Sequence, residues 1–429
     1  MPSSESSPSP ATAEPLAGKD AFAALRFPEF RNLITGSFLF TIALLIQEVA
    51  ISYELYRVTH DPLVLGLIGL AEAIPFIALA LFGGHVADRY DKRRIMLIAL
   101  AGIIAGSAVL LWMLHPSARG QLSQTALLGV VYGVIAALGL ARGFLTPAVG
   151  SLKAFLVPRE HYPNSSAWSS TAWQAGGILG PVSAGFLYAA FQLSGTLIIV
   201  LVLQVIAWLM FSRIKPRPVV HDASQPRESL SQSLGEGIRF VFGSPIILYS
   251  ISLDLFSVLF GGVVAILPVF AEDVLHVGAE GLGILRAAPA VGAMLTVLAC
   301  TRFPPTQNAW RNLLIAVAGF GVSVLVFGVS RLFWLSALAL FCSGAFDSIS
   351  VVIRGTILQV LPPDHLRGRV LAVNSIFISS SNEVGAFQAG LSASIFGATR
   401  SVLIGGTITL LIVSYVWRRS RALFSVRLT

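Results

Sequence analysis

The stretch KRRIMLIALAGIIAGSAVLLWML, residues 92–114, decides the fold class. Three consecutive cations are followed by residues 95–114, in which no side chain is charged and Ser107 is the only hydroxyl. An apolar run of about 20 residues is what a helix needs to cross the hydrocarbon core of a bilayer. The stretch therefore predicts a membrane-spanning helix that has its cationic end at the membrane surface.

Apolar runs of this kind recur along the whole chain of 429 residues, of which 55% are hydrophobic. Only 12% are charged, about half of the roughly 25% typical of soluble domains, which argues against a water-soluble enzyme. The long runs lack the alternation of barrel strands. We therefore predict an all-α membrane protein with twelve transmembrane helices. They lie near 33–57, 63–87, 94–114, 122–148, 166–190, 195–212, 245–270, 279–301, 311–330, 332–356, 370–395 and 400–417.

Lysine and arginine are distributed asymmetrically between the two sets of alternating loops. One set, together with both chain ends, holds 22 of the 29, whereas the other set holds Arg57, Arg119, Arg331 and Arg400. Because cytoplasmic loops are enriched in these residues, both termini are expected in the cytoplasm. The predicted location is the cell (inner) membrane.

A polar stretch at 213–244 divides the helices into two groups of six. The loop Val157-Pro158-Arg159-Glu160-His161 is echoed by Leu361-Pro362-Pro363-Asp364-His365, 204 residues later, as a parallel duplication predicts. We expect two pseudo-symmetric six-helix bundles, residues 31–212 and 245–417, joined by a cytoplasmic linker. Residues 1–30 are expected to form a disordered cytoplasmic tail, and residues 418–429 a second cytoplasmic tail.

Several other functions find no support in the sequence. The net charge of +8 comes from short clusters without interleaved aromatic residues, so no nucleic acid partner is expected. The two cysteines and seven histidines show no metal-ligand spacing, and no phosphate-binding GxxxxGK[ST] loop is present. We expect no metal, no cofactor and no enzymatic activity. Partners should be a small-molecule substrate, protons and the lipid bilayer, and a monomer is expected.

Four motifs carry a resemblance to the major facilitator superfamily over roughly residues 22–417. The stretch GHVADRYDKRR (84–94) resembles its cytoplasmic loop signature, although Asp91 stands where the general signature has a second glycine. GILGPVSAG (177–185), preceded by Gly176, resembles its antiporter motif, except that Ala167 replaces an expected glycine. Two further stretches, ARGFLTP (141–147) and PDHLRGRV (363–370), resemble an exporter branch that includes the enterobactin exporter and macrolide efflux proteins.

The resemblance implies roles for the residues of the first two motifs. A cytoplasmic gating latch is expected from Gly84, Asp88, Arg89, Arg93 and Arg94, although cations there also fix topology. The small residues of the other motif let helices approach closely, and its proline frees a backbone carbonyl. Those antiporter positions, which packing alone would also explain, are Gly176, Gly180, Pro181 and Gly185.

Ionisable residues inside predicted helices are candidate functional groups, because charge is unfavourable in the membrane. Five acids, Glu48, Glu72, Asp254, Asp347 and Glu383, face only three cations, Arg142, Arg286 and Arg354. At least two carboxyls therefore lack a cationic partner, and such a carboxyl can load and release a proton. Asp254 and Glu72 are our first choices as proton carriers, while a static structural role is the alternative for each acid. Glu54 lies near a helix end and is interpreted as solvated.

These features predict a secondary transporter that exports a small amphipathic molecule, drug-like or siderophore, in exchange for protons. Its cavity should be largely apolar and aromatic, with acids that could attract cationic substrates. Candidate wall residues, which otherwise face lipid or the core, are Phe38, Phe40, Trp168, Trp173, Phe256 and Phe260. The alternatives are an uptake symporter of the same fold and a membrane sensor or scaffold that no longer transports.

Overall fold

The computed structural model describes residues 20–115, 123–153, 155–216 and 230–425, and within these ranges the side chains of residues 80–89, 230–234, 365, 379, 422 and 425 are not described. These ranges contain helices and turns and no strand, as the sequence predicted. The first half of the described chain begins with a 3-10 turn, Ala23–Arg26. Its helices are α1 Pro28–Thr59, α2 Pro62–Arg89, α3 Lys92–Leu114, α4 Gln124–Lys153 and α5 Tyr162–Ser212.

Helix α5 consists of two antiparallel halves that meet at Gln192, whose φ of 53° and ψ of −176° are not helical. The first half of α5 runs parallel to α1, as two contacts show: Gly176 lies against Thr41, and further along both helices Tyr188 donates to Glu54. Its second half runs the other way, since Gln204 bonds to Gln47 and Phe211 lies against Gly36. The predicted helices at 166–190 and 195–212 are therefore both present, joined without a loop.

The second half of the chain begins with a helix that the sequence analysis did not predict, within the expected linker. This amphipathic helix, α6, spans Leu230–Gly243, and its Glu236 pairs with Arg369. Helix α7, Pro245–Gly261, comes next, and an irregular segment of 3-10, α and π turns, Val263–Val274, follows it. The remaining helices are α8 Gly278–Arg302, α9 Ala309–Val329, α10 Phe333–Val360, α11 Asp364–Phe396 and α12 Ala398–Arg419.

Ten helical segments of the described residues are long and apolar enough to cross a membrane. One of them holds both halves of α5, so it supplies two crossings. Helix α11 is not among the ten, because serines, Asn382 and Glu383 lower its hydropathy, although its 33 residues are long enough. With these two adjustments the described chain accommodates the twelve predicted crossings.

The helix ends form two groups, which we call the terminal end and the turn end. The terminal end holds the starts of α1 and α7 and the end of α12, near the chain termini. Residues 20–27 of the expected disordered tail are folded there, because Ala24 N donates to Asn164 and Trp168 donates to Ala21 O at 3.0 and 2.9 Å. Residues 1–19 of that tail lie outside the described residues.

The turn end is made of tight connections, and four of those that the structure describes contain residues in the left-handed region. These residues are His60, Gln192, His276, Gly278 and Gly397. The larger hydrophobic core runs from the first half into the second through residues of this end, including Ile266, Phe270 and Leu282. A separate core packs the terminal part of the second half, around Trp310 and Ile357. The two halves are thus joined at the turn end.

Candidate functional site

A central cavity of about 330 Å³ lies between the two halves of the chain. Helices α1, α2, α4, α8 and α11 each contribute one charged side chain to its wall, and Ser52 and Asn382 add polar groups. The charged residues are Glu48, Glu72, Arg142, Arg286 and Glu383. The structure therefore brings together five of the eight ionisable residues that the sequence placed inside helices.

The Glu72 carboxylate pairs with Arg142 because α2 and α4 cross very closely. A Cβ atom on Gly139, one turn before Arg142, would lie only 2.3 Å from the backbone oxygen of Glu72. Only glycine permits that approach, and it sets the guanidinium beside the carboxylate. The guanidinium also lies 5.9 Å from the centre of the Phe76 ring. Glu72, one of our first choices as proton carrier, is thus held in an ion pair within the first half.

A second ion pair, between Glu48 of α1 and Arg286 of α8, joins the two halves across the cavity. Arg286 also approaches the backbone oxygen of Val264 at 3.5 Å. The pair is only partly buried, since the Arg286 side chain is 11% exposed and the Glu48 side chain is 38% exposed. This pair must separate wherever the two halves move apart.

Glu383 of α11 faces the same cavity and forms no ion pair or hydrogen bond among the described residues. Its Oε2 lies 3.5 Å from the position that a Cβ atom would take on Gly69 of α2. The missing side chain at residue 69 therefore leaves room for the carboxylate. Among the described residues, three carboxyls and two guanidiniums line the cavity, and Glu383 is the acid of the three that forms no ion pair, although Arg142 attracts it electrostatically.

The other three predicted residues form a separate cluster inside the second half. Asp254 of α7 pairs with Arg354 of α10, and both are buried. Asp347 lies two turns before Arg354 on α10 and makes no hydrogen bond or ion pair among the described residues. The hydroxyls of Ser250 and Ser257 bond to carbonyls of their own helix, at 2.9 and 3.0 Å. Asp254, our other first choice, is therefore also paired.

The glycines of the antiporter-like motif divide between two helix contacts. Cβ atoms on Gly176 and Gly180 would lie 2.7 Å from Thr41 and Leu45 of α1. The other end of the motif contacts α8. A Cβ atom on Gly185 would lie 2.5 Å from Ala279 O of α8, and a Cβ atom on Gly283 of α8 would lie 2.6 Å from Pro181 O. The motif thus packs α5 on α1 and closes α5 on α8 at the turn end.

A matching contact between the halves lies on the other side of the cavity, between α2 and α11. A Cβ on Gly390 would lie 2.7 Å from the backbone nitrogen of Gly66, and one on Gly66 would lie 3.0 Å from Phe387 O. Backbone therefore touches backbone at both crossings. These contacts, together with the Glu48–Arg286 pair, seal the cavity towards the turn end.

Two tyrosines of α1 add hydrogen bonds to this closure, and the sequence analysis missed them. Tyr53 donates to Glu272 at 2.6 Å, and Tyr56 donates to Asp273. The spacing of three residues puts both hydroxyls on one face of α1, but no sequence signal shows which distant acids they meet. Our interpretation of Glu54 as solvated was wrong, because it is 4% exposed and accepts from Tyr188.

The cytoplasmic loop signature lies at the terminal end, between α2 and α3. The side chains of Gly84, Asp88 and Arg89 are outside the described residues. Asp91, the position that departs from the general signature, caps α3 by accepting from Arg93 N at 2.9 Å. The Arg93 guanidinium donates to Ser212 O at 2.7 Å, where α5 ends, and Arg94 is exposed. Arg93 therefore links α3 to the C-terminal carbonyls of α5.

Sequence comparison places the chain among transport proteins. The profile of the Major Facilitator Superfamily matches residues 33–386. The chain is 26% identical to the enterobactin exporter EntS of Citrobacter koseri over 392 residues, 88% of each protein. It is also 26% identical to the enterobactin exporter EntS of Escherichia coli O1:K1 over 410 residues, which cover 90% of this chain and 92% of the relative.

Solved structures show the same fold at low sequence identity. A bacterial homologue of the human lysosomal transporter Spinster, inward-facing and unoccupied, has a TM-score of 0.71 at 14% identity and covers 92% of this chain and 98% of its own. A bacterial homologue of the iron transporter ferroportin, in an inward-facing state, has a TM-score of 0.69 at 15% identity, with coverages of 91% and 99%.

Proposed function

Because this chain belongs to the major facilitator superfamily, as its motifs predicted, we propose that it exports a small amphipathic molecule in exchange for protons. The observation that carries this proposal is Glu383, an acid that forms no ion pair among the described residues and lines a cavity between the two halves. The export direction is supported by the antiporter-like motif on α5 and by relatives named as exporters.

The proposed cycle moves two six-helix bundles, residues 31–212 and 245–417, about the central cavity. In the structure the halves meet at the turn end through backbone contacts at Gly185 and Gly390 and through the Glu48–Arg286 pair. Export requires this end to open, so those contacts must break in each cycle. Basic residues cluster at the terminal end, which we assign to the cytoplasmic face of the inner membrane.

Glu383 is the proton carrier that we favour among the five acids. Glu48, Glu72 and Asp254 each have a guanidinium that stabilises the charged carboxylate. Glu383 forms no ion pair among the described residues, although Arg142 is near enough to attract its carboxylate. It lies where the substrate would bind, so its ionisation responds to whatever enters the cavity. Asp347 is the second candidate, because it also lacks a partner among the described residues, but it lies outside the central cavity.

The substrate class follows from the wall of the cavity, which mixes charges with apolar side chains. Leu65, Ile68, Val258 and Ala386 line it beside the five charged groups. An amphipathic molecule satisfies both kinds of surface, and drug-like compounds or siderophores fit this description. Enterobactin, the compound that the relatives are named for exporting, is the first to test.

Everted membrane vesicles and a pH-sensitive dye provide the test. Addition of a transported substrate to energised vesicles should dissipate the proton gradient, and Glu383→Gln should abolish this response. Counterflow of labelled substrate, which needs no proton movement, should persist in the variant. The matched control is Glu160→Gln, because Glu160 is an exposed acid in a turn at the terminal end.

Two results would contradict the assignment. If Glu383→Gln still couples substrate to proton movement, the carrier lies elsewhere, and Asp347→Asn is the next variant. If counterflow is lost together with proton movement, Glu383 serves substrate binding or folding rather than coupling.

A further inference from the structure

A second cavity, of about 270 Å³, lies between α1, α4 and α5, closer to the terminal end than the central cavity. Most of its wall is apolar, but one ammonium group, two aromatic rings and several hydroxyls face it. The residues that matter for its chemistry are Lys153, Trp173, Phe38, Ser37, Thr146 and Ser169. None of these residues lines the central cavity.

The two cavities lie on the same faces of two helices. On α4, Arg142 lines the central cavity, and Thr146 and Lys153 follow it at i+4 and i+11, which is one helical face. On α1, Ser37 and Thr41 line the second cavity, and Glu48 lies on the same face at the central one. A rise of 1.5 Å per residue puts Lys153 about 16 Å from Arg142 along α4. The two cavities therefore follow one another along one face of α1 and one face of α4.

The indole ring of Trp173 is largely exposed. It is 58% exposed, and its ring makes no aromatic contact among the described residues. Trp168, five residues earlier, shows the contrast, because it packs on Phe22 and donates to Ala21 O. An indole that lines a cavity together with Phe38 offers a stacking surface for an aromatic ligand.

Lys153 supplies a positive charge that no acid of the described residues neutralises. Its ammonium approaches only the Ser166 hydroxyl, at 3.4 Å. By contrast, both guanidiniums of the central cavity pair with a glutamate. An uncompensated ammonium beside an exposed indole is complementary to an aromatic group that carries a negative charge.

We propose that the second cavity is an entry subsite for an aromatic anion, with its ring on Trp173 and its carboxylate, sulfonate or phenolate on Lys153. The ligand binds here first and reaches the central cavity along the shared faces of α1 and α4. This order of binding rests on the proposed export function, whereas occupancy of the subsite does not.

Calorimetry on the full chain in lipid nanodiscs tests the subsite, with empty nanodiscs subtracted. The probes share one ring system and differ in charge: 1-naphthoate, 1-naphthalenemethanol and 1-naphthylmethylammonium. Naphthoate should bind about 10-fold tighter than the other two, as a charge-assisted hydrogen bond predicts. Lys153→Gln should remove this preference and leave the affinity for the alcohol unchanged.

The stacking surface is tested by a second pair of variants. Trp173→Ala should weaken all three probes by about 3-fold to 10-fold, and Trp173→Phe should recover part of the loss. Lys215→Gln and Trp112→Ala are the matched controls, because both residues lie outside the two cavities. These controls should bind like the unmodified chain.

The proposal is overturned if naphthoate shows no preference over the alcohol, or if the preference survives in Lys153→Gln. Equal weakening of all probes in Lys153→Gln would also overturn it, because that pattern indicates a structural role. None of these measurements depends on proton movement. Failure of the subsite is therefore distinguishable from failure of proton-coupled export.

Discussion

The contact between α5 and α8 at Gly185 should decide how firmly the turn end is closed. A Cβ atom there would lie 2.5 Å from Ala279 O and 3.1 Å from Glu280 Cα, whereas ordinary contacts begin at 3.4 Å. Both neighbours are backbone atoms, so no side chain can rotate away. Gly185→Ala therefore has to push the two helices apart by about 1 Å, and overpacking of this size destabilises by about 1 to 3 kcal/mol.

The substitution destabilises only the state in which the turn end is closed, because α5 and α8 separate when that end opens. A difference of 1 to 3 kcal/mol changes a two-state population ratio by about 5-fold to 150-fold. The Tyr53–Glu272 bond of 2.6 Å, which closes the same end, would be stretched by the same displacement. The variant should therefore populate the outward-open state more than the unmodified chain.

Thiol labelling from the turn side measures this shift. Ser52→Cys places a reporter in the central cavity, in a chain that also carries Cys300→Ser and Cys342→Ser. A membrane-impermeant maleimide should label Gly185→Ala at least several-fold faster. Gly177→Ala, on the same helix, is the matched control, because nothing lies within 4 Å of a Cβ there. Equal labelling rates in both variants would refute the reasoning.

Three further predictions concern single side chains. Tyr56→Phe removes the hydroxyl that bonds Asp273, and loss of about 1.5 to 3 kcal/mol from the closed state should speed the same thiol labelling. Asp91→Ala removes the cap of α3 and should lower stability by about 1 kcal/mol in thermal unfolding, with Asp91→Asn close to the unmodified chain. Gly139→Ala should lower the unfolding temperature, whereas Gly133→Ala, which has open space around it, should not.

The membrane fold was predictable because hydropathy reports directly on the environment of each helix. The apolar run after Arg94 becomes α3, and its predicted start was two residues late because Asp91 caps the helix at Lys92. Helix α6 was missed because an amphipathic surface helix has no apolar run to reveal it. The turn at Gln192 was read as a short loop, since glutamine gives no sign of a left-handed conformation.

The sequence indicated which ionisable residues lie inside helices, but it did not indicate which acid pairs with which arginine. Charge counting predicted that at least two of the five acids lack a cationic partner, and among the described residues Glu383 and Asp347 are the two that form no ion pair. Which acid meets which arginine depends on where helices cross, and that depends on glycines such as Gly139 whose partners lie far away in sequence. Glu54 and the two tyrosines of α1 were overlooked for the same reason, because position along a helix does not show what packs against it.

The loop-free reversal at Gln192 has a consequence for how the protein is made. Most consecutive crossings are separated by polar residues, so each can enter the bilayer as the ribosome supplies it. The two halves of α5 lie in one stretch, residues 162–212, that contains no charged residue, and only uncharged polar side chains such as Gln192, Ser194 and Thr196 mark the turn. They are therefore expected to insert together as a helical hairpin. A cation introduced beside Gln192 should leave that pairing intact, whereas a charge in the middle of either half should expel both crossings at once.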